Sequence, residues 1–331
     1  MGKAGRDDRL TDFQNFSCGA VAGIVSRTAV SPLDVIKILT QVGTTDTRQG
    51  FLNSFANVYK NQGLRAFWKG NLIGCLRLSP FSAIQFSSYY KFKHLLADQN
   101  GKLAPHSSMA AGTLGGVVAT VVTYPADMVK TRLIVQHTHP RKARYRGIVH
   151  AFSLIVKEEG VLALYKGMLV SICGALPFTA CTFVTYEFLD QFSDKPRYML
   201  TPMQNFLNGC IAAAFAQSIS FPFDTIRKKL QAKSSVMRDG GGVDVKFKGM
   251  LSAFTSTIDH YGYKGLWRGN LANLCKVVPY AGLMFMSFEA CKRGFLHQNG
   301  YTEGYWDDTP VPGVDQSLKP NQLKEWNAHL R

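Results

Sequence analysis

The sequence predicts an all-α membrane protein built from three tandem repeats, each with two long helices and one short helix. The first observation is a Pro-x-Asp-x-x-Lys/Arg motif that occurs three times, beginning at Pro32, Pro125 and Pro222. The second is an aromatic-basic-Gly triplet that follows each motif and ends at Gly70, Gly167 and Gly269. Successive copies lie 93 to 102 residues apart. Such self-similarity at a long period indicates a repeat protein.

The third observation is a weakly polar run, rich in Gly, Ala, Ser and Val, that leads into each proline motif. These runs span residues 16–31, 109–126 and 205–223. Each carries small residues four apart, which suit close helix packing in lipid. The mean hydropathy of −0.04 averages over these runs and hides them. The runs, and the apolar stretches after each triplet, predict six spanning helices at residues 13–41, 71–93, 107–135, 168–190, 202–232 and 270–293.

Between the two long helices of each repeat lies a short amphipathic segment suited to a membrane surface. These segments are predicted at residues 51–60, 148–157 and 250–261. Each proline inside a long helix removes one backbone hydrogen bond and is expected to kink the helix. The chain then divides into an N-terminal segment (1–12), three repeats (13–100, 101–197 and 198–297) and a polar C-terminal tail (298–331), expected to be exposed and in part disordered.

The net charge of +16 favours an anionic partner: nucleic acid, anionic lipid or small anions. A helical-repeat nucleic-acid binder is therefore an alternative, but the runs suited to spanning helices favour a membrane protein that binds no nucleic acid. The seven cysteines are scattered without a Cys-x-x-Cys pair, which indicates reduced thiols rather than disulfides or a zinc site. No HExxH, GxSxG or Walker-type motif occurs in the sequence. We therefore expect no enzymatic activity, metal or cofactor.

The three in-register copies resemble the mitochondrial carrier family (solute carrier family 25) over residues 13–295. The resemblance implies a monomeric, multi-pass carrier of the mitochondrial inner membrane, with both termini in the intermembrane space and the short helices on the matrix side. It also implies transport of a small solute by alternating access.

Within each proline motif, the acid and the base are three residues apart and lie on one face of a helix. Ionisable groups in spanning helices are costly unless they pair or line an aqueous path. Three such helices could bring their charges into a ring, and the family pairs each acid with the base of the next repeat. We call this ring, with two family glutamines, the matrix gate: Asp34–Lys130, Asp127–Arg227, Asp224–Lys37, Gln41 and Gln231. Static ion pairs that hold the helices together are the alternative.

Towards the far end of the second spanning helix of each repeat, the family carries an aromatic-acid-x-x-base motif. Only the third copy here is complete, because Tyr90 replaces the acid of the first and Asp190 replaces the base of the second. We call the remaining charged residues the cytoplasmic gate: Lys93, Glu187, Glu289 and Lys292. Two pairs are expected, Glu187–Lys292 and Glu289–Lys93, so this gate should be weaker than the matrix gate.

Glycines at helix starts could bind lipid phosphate, since helix N-termini present free N–H groups. By resemblance they hold cardiolipin head groups, and simple turn formation is the alternative. The glycines are Gly70, Gly147, Gly167, Gly249 and Gly269.

Seven residues after each triplet the repeats diverge, to Arg77, Gly174 and Lys276. In the family these positions contact the substrate. Two cations and a Gly-Ala pair resemble carriers of adenine nucleotides and coenzyme A. The full predicted substrate set is Arg27, Arg77, Gly174, Ala175, Phe178, Ser220, Lys228 and Lys276. Phe178 could stack on a base or simply be a core or lipid-facing aromatic. A scaffold with little transport, or a proton or fatty-acid leak, is the functional alternative.

Overall fold

Helices and short turns make up almost all of the structure, a computed structural model of the chain. It describes residues 9–47, 50–97, 105–136, 144–192, 202–234, 243, 247, 249–306, 309–320 and 322–323. Within these ranges the only β pairing is an isolated bridge between Thr302 and Pro310. The all-α class predicted from the sequence is confirmed.

The helices are numbered α1 to α9 in chain order. Their bounds are α1 Asp12–Val42, α2 Phe51–Gln62, α3 Asn71–Leu96, α4 Pro105–Val135, α5 Ile148–Glu159, α6 Met168–Phe192, α7 Pro202–Ala232, α8 Met250–Tyr261 and α9 Asn270–Gln298. The predicted helix ends lie within five residues of these bounds. Each long helix runs without a break across one proline, at Pro32, Pro80, Pro125, Pro177, Pro222 and Pro279. The predicted kinks therefore do not end the helices.

Four stretches of the described residues are long and apolar enough to cross a membrane. They are Asp12–Val42, Ser107–Val135, Val161–Leu189 and Tyr263–Gln298. Helices α3 and α7 are also long enough to cross, at 26 and 31 residues. Neither is one of these four stretches, and both carry charged residues, Arg77 on α3 and Asp224, Arg227 and Lys228 on α7.

The described residues form two compact units, Met1–Ala29 with Pro279–Arg331, and Val30–Val278. We call them the terminal unit and the central unit. The central unit has three apolar clusters, each centred on the end of the first long helix of a repeat (α1, α4 or α7), the short helix that follows and a 3₁₀ turn. The first cluster also includes Ile134, Val135, Ala232 and Ala272 from the other two repeats. The short helices each bury two small or apolar positions four residues apart, which fixes the face that packs inward.

The C-terminal tail packs against the ends of α1 and α9 inside the terminal unit. Tyr301 and Leu323 are fully buried in a cluster with Leu10 and Leu296. Most of the described tail residues are exposed or half-buried, as expected, but the buried residues show that this part of the tail is folded onto the terminal unit. The tail is polar on average, but a few apolar residues, Tyr301 and Leu323 among them, are enough to form a small core; average polarity did not reveal these anchors. Residues 1–8 and 324–331 lie outside the described part of the chain.

Candidate functional site

Three aspartates of the central unit accept ion pairs from the basic residue of a neighbouring repeat. Lys130 Nζ donates to Asp34 Oδ2 at 3.2 Å, and Lys37 Nζ lies 2.8 Å from Asp224 Oδ2. Arg227 pairs with Asp127. The structure thus contains all three pairs that the family resemblance implies, on helices α1, α4 and α7.

Both glutamines predicted to brace the ring bond to an aspartate. Gln41 Nε2 donates to Asp224 Oδ2 at 3.2 Å, and Gln231 Nε2 donates to Asp127 Oδ2 at 3.1 Å. The corresponding position of the second repeat is Ile134, which is buried in an apolar cluster. The Asp34 pair therefore receives no glutamine at this position.

Two residues predicted to bind substrate are engaged by the gate acids instead. Lys276 Nζ donates to Asp34 Oδ1 at 2.7 Å. Arg77 Nη1 donates to Asp127 Oδ1 at 3.0 Å, while its Nε donates to Thr123 Oγ1 at 3.1 Å. Both cations predicted to bind substrate are therefore paired with acids of the matrix gate.

Lys228 and Ser220 do not face an open path, which corrects their predicted placement. Lys228 is buried, and its Nζ donates to Asp127 at 3.1 Å, Thr131 at 3.0 Å and Gln231 at 2.9 Å. The Ser220 hydroxyl is buried and donates to the carbonyl of Ala216 at 2.9 Å in its own helix. Neighbouring positions on a helix differ by about 100° in direction, so sequence spacing alone did not separate path-facing from ring-facing residues.

Gly174 is explained by helix packing. A Cβ added there would lie 2.8 Å from Phe223 Cβ, so α6 and α7 approach too closely for any larger residue. Ala175, the next residue, is half-buried. The Phe223 contact fills the Cβ side of Gly174, which is otherwise half-buried, and its role as a substrate contact stays a prediction.

Phe178 lines a cavity of about 460 Å³ in the central unit. Its other lining residues are Met109, Thr179, Thr182, Phe183, Tyr186, Glu187 and Asn205. The lining is mostly aromatic and hydroxylic, which suits a planar ring system better than a phosphate.

The remaining predicted substrate cation, Arg27, lies in the terminal unit on α1. Its Nε is buried, with no hydrogen-bond partner among the described residues. One N–H of the guanidinium is therefore buried without a described partner, while the residue as a whole is half-buried.

The cytoplasmic gate residues are divided between the two units. Lys93 and Glu187 belong to the central unit, Glu289 and Lys292 to the terminal unit. Glu289 pairs within its own unit with Arg293, whose Nε lies 3.6 Å from the carboxylate. The expected pairs Glu187–Lys292 and Glu289–Lys93 stay predictions, and the Asp190 side chain lies outside the described residues.

The glycines predicted to bind lipid fall into two classes. Gly70, Gly167 and Gly269 have positive φ angles of 71°, 84° and 90°. An added Cβ would lie 3.0 to 3.2 Å from Lys130, Tyr124, Arg227 or Lys37. These three glycines are therefore required by the backbone and by packing on the next repeat. Gly147 and Gly249 have extended backbones and open space around them.

Behind each ion pair of the ring lies a second cluster that the sequence pattern only partly indicated. In the second repeat, Arg132 is fully buried and makes two bonds to Glu159, at 2.7 and 2.8 Å. Lys166 donates to the same carboxylate at 2.6 Å. Burial raises the pKa of Glu159, but the hydrogen bonds from Arg132, Lys166 and Ser234 outweigh it and bring the pKa to about 2.

The other two repeats build this cluster differently. In the first, Lys69 donates to Gln62 and to the carbonyl of Gln136, both at 2.7 Å, and burial lowers its pKa to about 8. In the third, the guanidinium of Arg268 stacks on Tyr261, 4.4 Å from the ring centre. Gln62 and Tyr261 occupy the positions that correspond to Glu159. A hydrogen bond to the Gln62 side chain and a cation–π contact with Tyr261 therefore replace the ion pair in these two repeats.

The described residues contain no cluster of three or more His, Cys, Asp or Glu side chains that could hold a metal ion. The structure describes the seven cysteines as free thiols.

A sequence profile described as "Mitochondrial carrier protein" matches residues 8–100, 101–196 and 198–299. The chain is 45% identical over 331 residues to solute carrier family 25 member 43 of Danio rerio, covering 100% of this chain and 95% of that protein. It is 35% identical over 298 residues to a mitochondrial adenine nucleotide transporter of Arabidopsis thaliana, covering 83% of this chain and 84% of that protein. It is 30% identical over 295 residues to a mitochondrial coenzyme A transporter of Xenopus tropicalis, with 86% of each chain covered.

These matches span all three repeats and agree with the resemblance drawn from the motifs. With its long apolar helices, the chain is a multi-pass mitochondrial membrane protein. It belongs to the mitochondrial carrier family, a family of transporters.

Proposed function

We propose that the protein moves an anionic metabolite, of the adenine-nucleotide or coenzyme A kind, across the mitochondrial inner membrane by alternating access. The observation that carries the proposal is a surplus of positive charge at the matrix gate. Six cations pair with only three carboxylates there: Lys37, Arg77, Lys130, Arg227, Lys228 and Lys276.

The surplus of three positive charges is partly buried. Taking cations out of water costs several kcal/mol each unless counter-charges compensate them. An anion with several negative charges would supply that compensation. Arginine forks and lysine ammonium groups are the usual ligands of phosphate, so a phosphorylated substrate fits better than a monocarboxylate.

The same geometry supplies a coupling between binding and opening. Arg77 and Lys276 bind gate acids in this structure, so a phosphate that engages them competes with Asp127 and Asp34. We call each gate aspartate with the side chains that donate to it a corner of the gate. Two of the three corners then lose a donor when substrate binds. A ligand shifts a conformational equilibrium only through interactions that differ between states, and this exchange is such an interaction.

The relatives named as adenine nucleotide and coenzyme A transporters support the same substrate class. The aromatic cavity beside Phe178 offers a surface for a base. We also propose a monomeric carrier that binds cardiolipin at the open glycine starts of α5 and α8, Gly147 and Gly249.

Thermal unfolding of the detergent-purified protein against a panel of anions tests the substrate. The panel holds AMP, ADP, ATP, coenzyme A, adenosine bisphosphate, phosphate and keto acids. A ligand that binds only the folded state at one hundred times its Kd stabilises it by about 2.7 kcal/mol. We expect a rise in melting temperature with adenine polyphosphates or coenzyme A, and little with keto acids.

The rise should be lost in Arg77→Ala and Lys276→Ala and kept in Arg144→Ala. Arg144 is a matched control because it carries the same charge but pairs with Glu158 at an exposed surface. A rise with keto acids alone would contradict the substrate class. No rise with any compound, in protein that still unfolds cooperatively, would favour the scaffold alternative.

A further inference from the structure

The tail that follows α9 forms a folded element on the terminal unit. We call residues 299–306, 309–320 and 322–323 the C-terminal clasp. Tyr301 is its anchor: the ring is fully buried and the hydroxyl donates to the Leu318 carbonyl at 2.5 Å. Gln316 Nε2 in turn donates to the Tyr301 carbonyl at 3.1 Å.

Hydrogen bonds join the start of α1 to the end of α9 and the clasp. Gln14 and Asn299 bond through their side-chain amides at 3.0 Å, and Asn299 Nδ2 donates to the Arg9 carbonyl at 3.2 Å. Arg9 Nη1 donates to Gln316 Oε1 at 3.0 Å. The clasp therefore holds the terminal ends of the first and last helices together.

The clasp also reaches the acid of the cytoplasmic gate, through Arg293. Arg293 Nη1 donates to the Trp306 carbonyl of the clasp at 3.1 Å. Its Nε lies 3.6 Å from Glu289 Oε1, an ion-pair distance rather than a hydrogen bond. The Tyr305 ring of the clasp packs against Gly294: a Cβ added to Gly294 would lie 3.1 Å from the ring. The clasp therefore contacts α9 at the residue next to Arg293.

Glu289 and Arg293 are four residues apart with the acid first, the orientation that best stabilises a helical pair. A carboxylate held this way is less available to a base on another helix. We infer that Arg293 is a positioning residue of the cytoplasmic gate: steadied by the clasp, it competes for Glu289 and favours the state open on that side. The inference rests on the proposed function, because the gate itself is part of that proposal.

A labelling experiment on the full chain in proteoliposomes tests this without a transported substrate. Thr182, in the cavity beside Phe178, is replaced by cysteine in a background without the seven natural cysteines. A membrane-impermeant thiol reagent is added on the side of the termini. We expect Arg293→Gln to slow labelling about twofold, the population change that one helical ion pair supports, and Arg293→Lys to restore most of the rate.

A double-mutant comparison separates positioning from a purely structural role. In a Glu289→Gln background, Arg293→Gln should change the labelling rate no further. Tyr301→Ala, which removes the anchor of the clasp, should slow labelling in the same direction as Arg293→Gln. Trp306→Ala is the control, because it keeps the backbone carbonyl and removes a side chain that is 73% exposed.

Unchanged labelling in folded Arg293→Gln protein would overturn the inference, as would an equal effect with and without Glu289. If Arg293→Gln does not fold, Tyr301→Ala with and without Glu289→Gln gives the same test. Failure of the proposed substrate class would show instead in the anion panel, which does not depend on the clasp.

Discussion

The Asp127 and Asp224 corners of the matrix gate arise from the same motif but differ in how many donors they hold. Asp127 accepts from Arg227, Arg77, Lys228 and Gln231. Asp224 accepts from Lys37 and Gln41. The repeats thus supply equivalent acids, and the residues added around each acid decide how firmly that corner is closed.

The support behind the two corners differs in the same way. Arg132 joins the buried Glu159 carboxylate to the backbone of α7, since its Nε donates to the Gln231 carbonyl at 3.2 Å. Behind the other corner, Tyr261 lies under the cations of Arg268 and Lys229. The Asp127 corner is therefore backed by a buried ion pair, and the Asp224 corner by cation–π contacts.

The largest difference should come from neutralising the two acids. Asp127→Asn leaves three cations without their carboxylate, and removing one partner of a buried pair costs about 3–5 kcal/mol. Asp224→Asn leaves only Lys37 without its carboxylate, and Asp224 is more exposed than Asp127, so we expect roughly half that loss. Thermal unfolding in detergent measures both, and a larger loss for Asp224→Asn would break the comparison.

The support behind Asp127 should depend on pH. The pKa of Glu159 is about 2, below its ordinary value of 4.5, so its stabilisation is present above pH 4.5 and is lost as the pH falls towards 2. Glu159→Gln should cost about 3 kcal/mol at neutral pH, because Arg132 is left buried without its partner. Melting temperatures from pH 7 to pH 3 should fall more steeply for wild type than for this variant.

Two glycine substitutions test whether Gly167 is required by its backbone angle and its packing. Gly167→Ala places a side chain at a φ of 84° and against Arg227 and Tyr124, which should cost about 1–3 kcal/mol. Gly147→Ala, at the start of α5, meets nothing within 4 Å and is the matched control. Equal melting temperatures for the two variants, measured without cardiolipin, would contradict the packing role.

The smallest effect should come from the bracing glutamines. Gln231 bonds to Asp127, Thr131 and Lys228, whereas the only bond described for the Gln41 amide is to Asp224. Because a net hydrogen bond contributes about 1 kcal/mol, Gln41→Ala should cost about that much, and Gln231→Ala, which removes three bonds, should cost more. Urea unfolding of the two variants can resolve this difference. A larger loss for Gln41→Ala would contradict the expectation that the loss grows with the number of bonds removed.

Motif spacing predicted much of this architecture because the motifs occur at equivalent positions in each of the three repeats. The proline motifs located the ring, and the family pairing of Asp34, Asp127 and Asp224 matches the contacts found. Spacing could not show that Lys228 turns into the ring or that Gly174 meets Phe223, because these depend on side-chain direction and on helix approach. It also could not show the clasp, since a short polar tail with a few buried residues such as Tyr301 and Leu323 has no periodic pattern.

The central claim is that the surplus cations of the gate select a phosphorylated, adenine-containing anion and couple its binding to opening. Uptake of labelled ADP, ATP or coenzyme A into proteoliposomes loaded with unlabelled compound tests it most directly. We predict exchange of at least one of these compounds, reduced at least about tenfold by Arg77→Ala with Lys276→Ala, a loss of about 1.4 kcal/mol or more in transition-state stabilisation. Exchange that is unaffected by both substitutions, or exchange of keto acids but of no adenine compound, would contradict the claim.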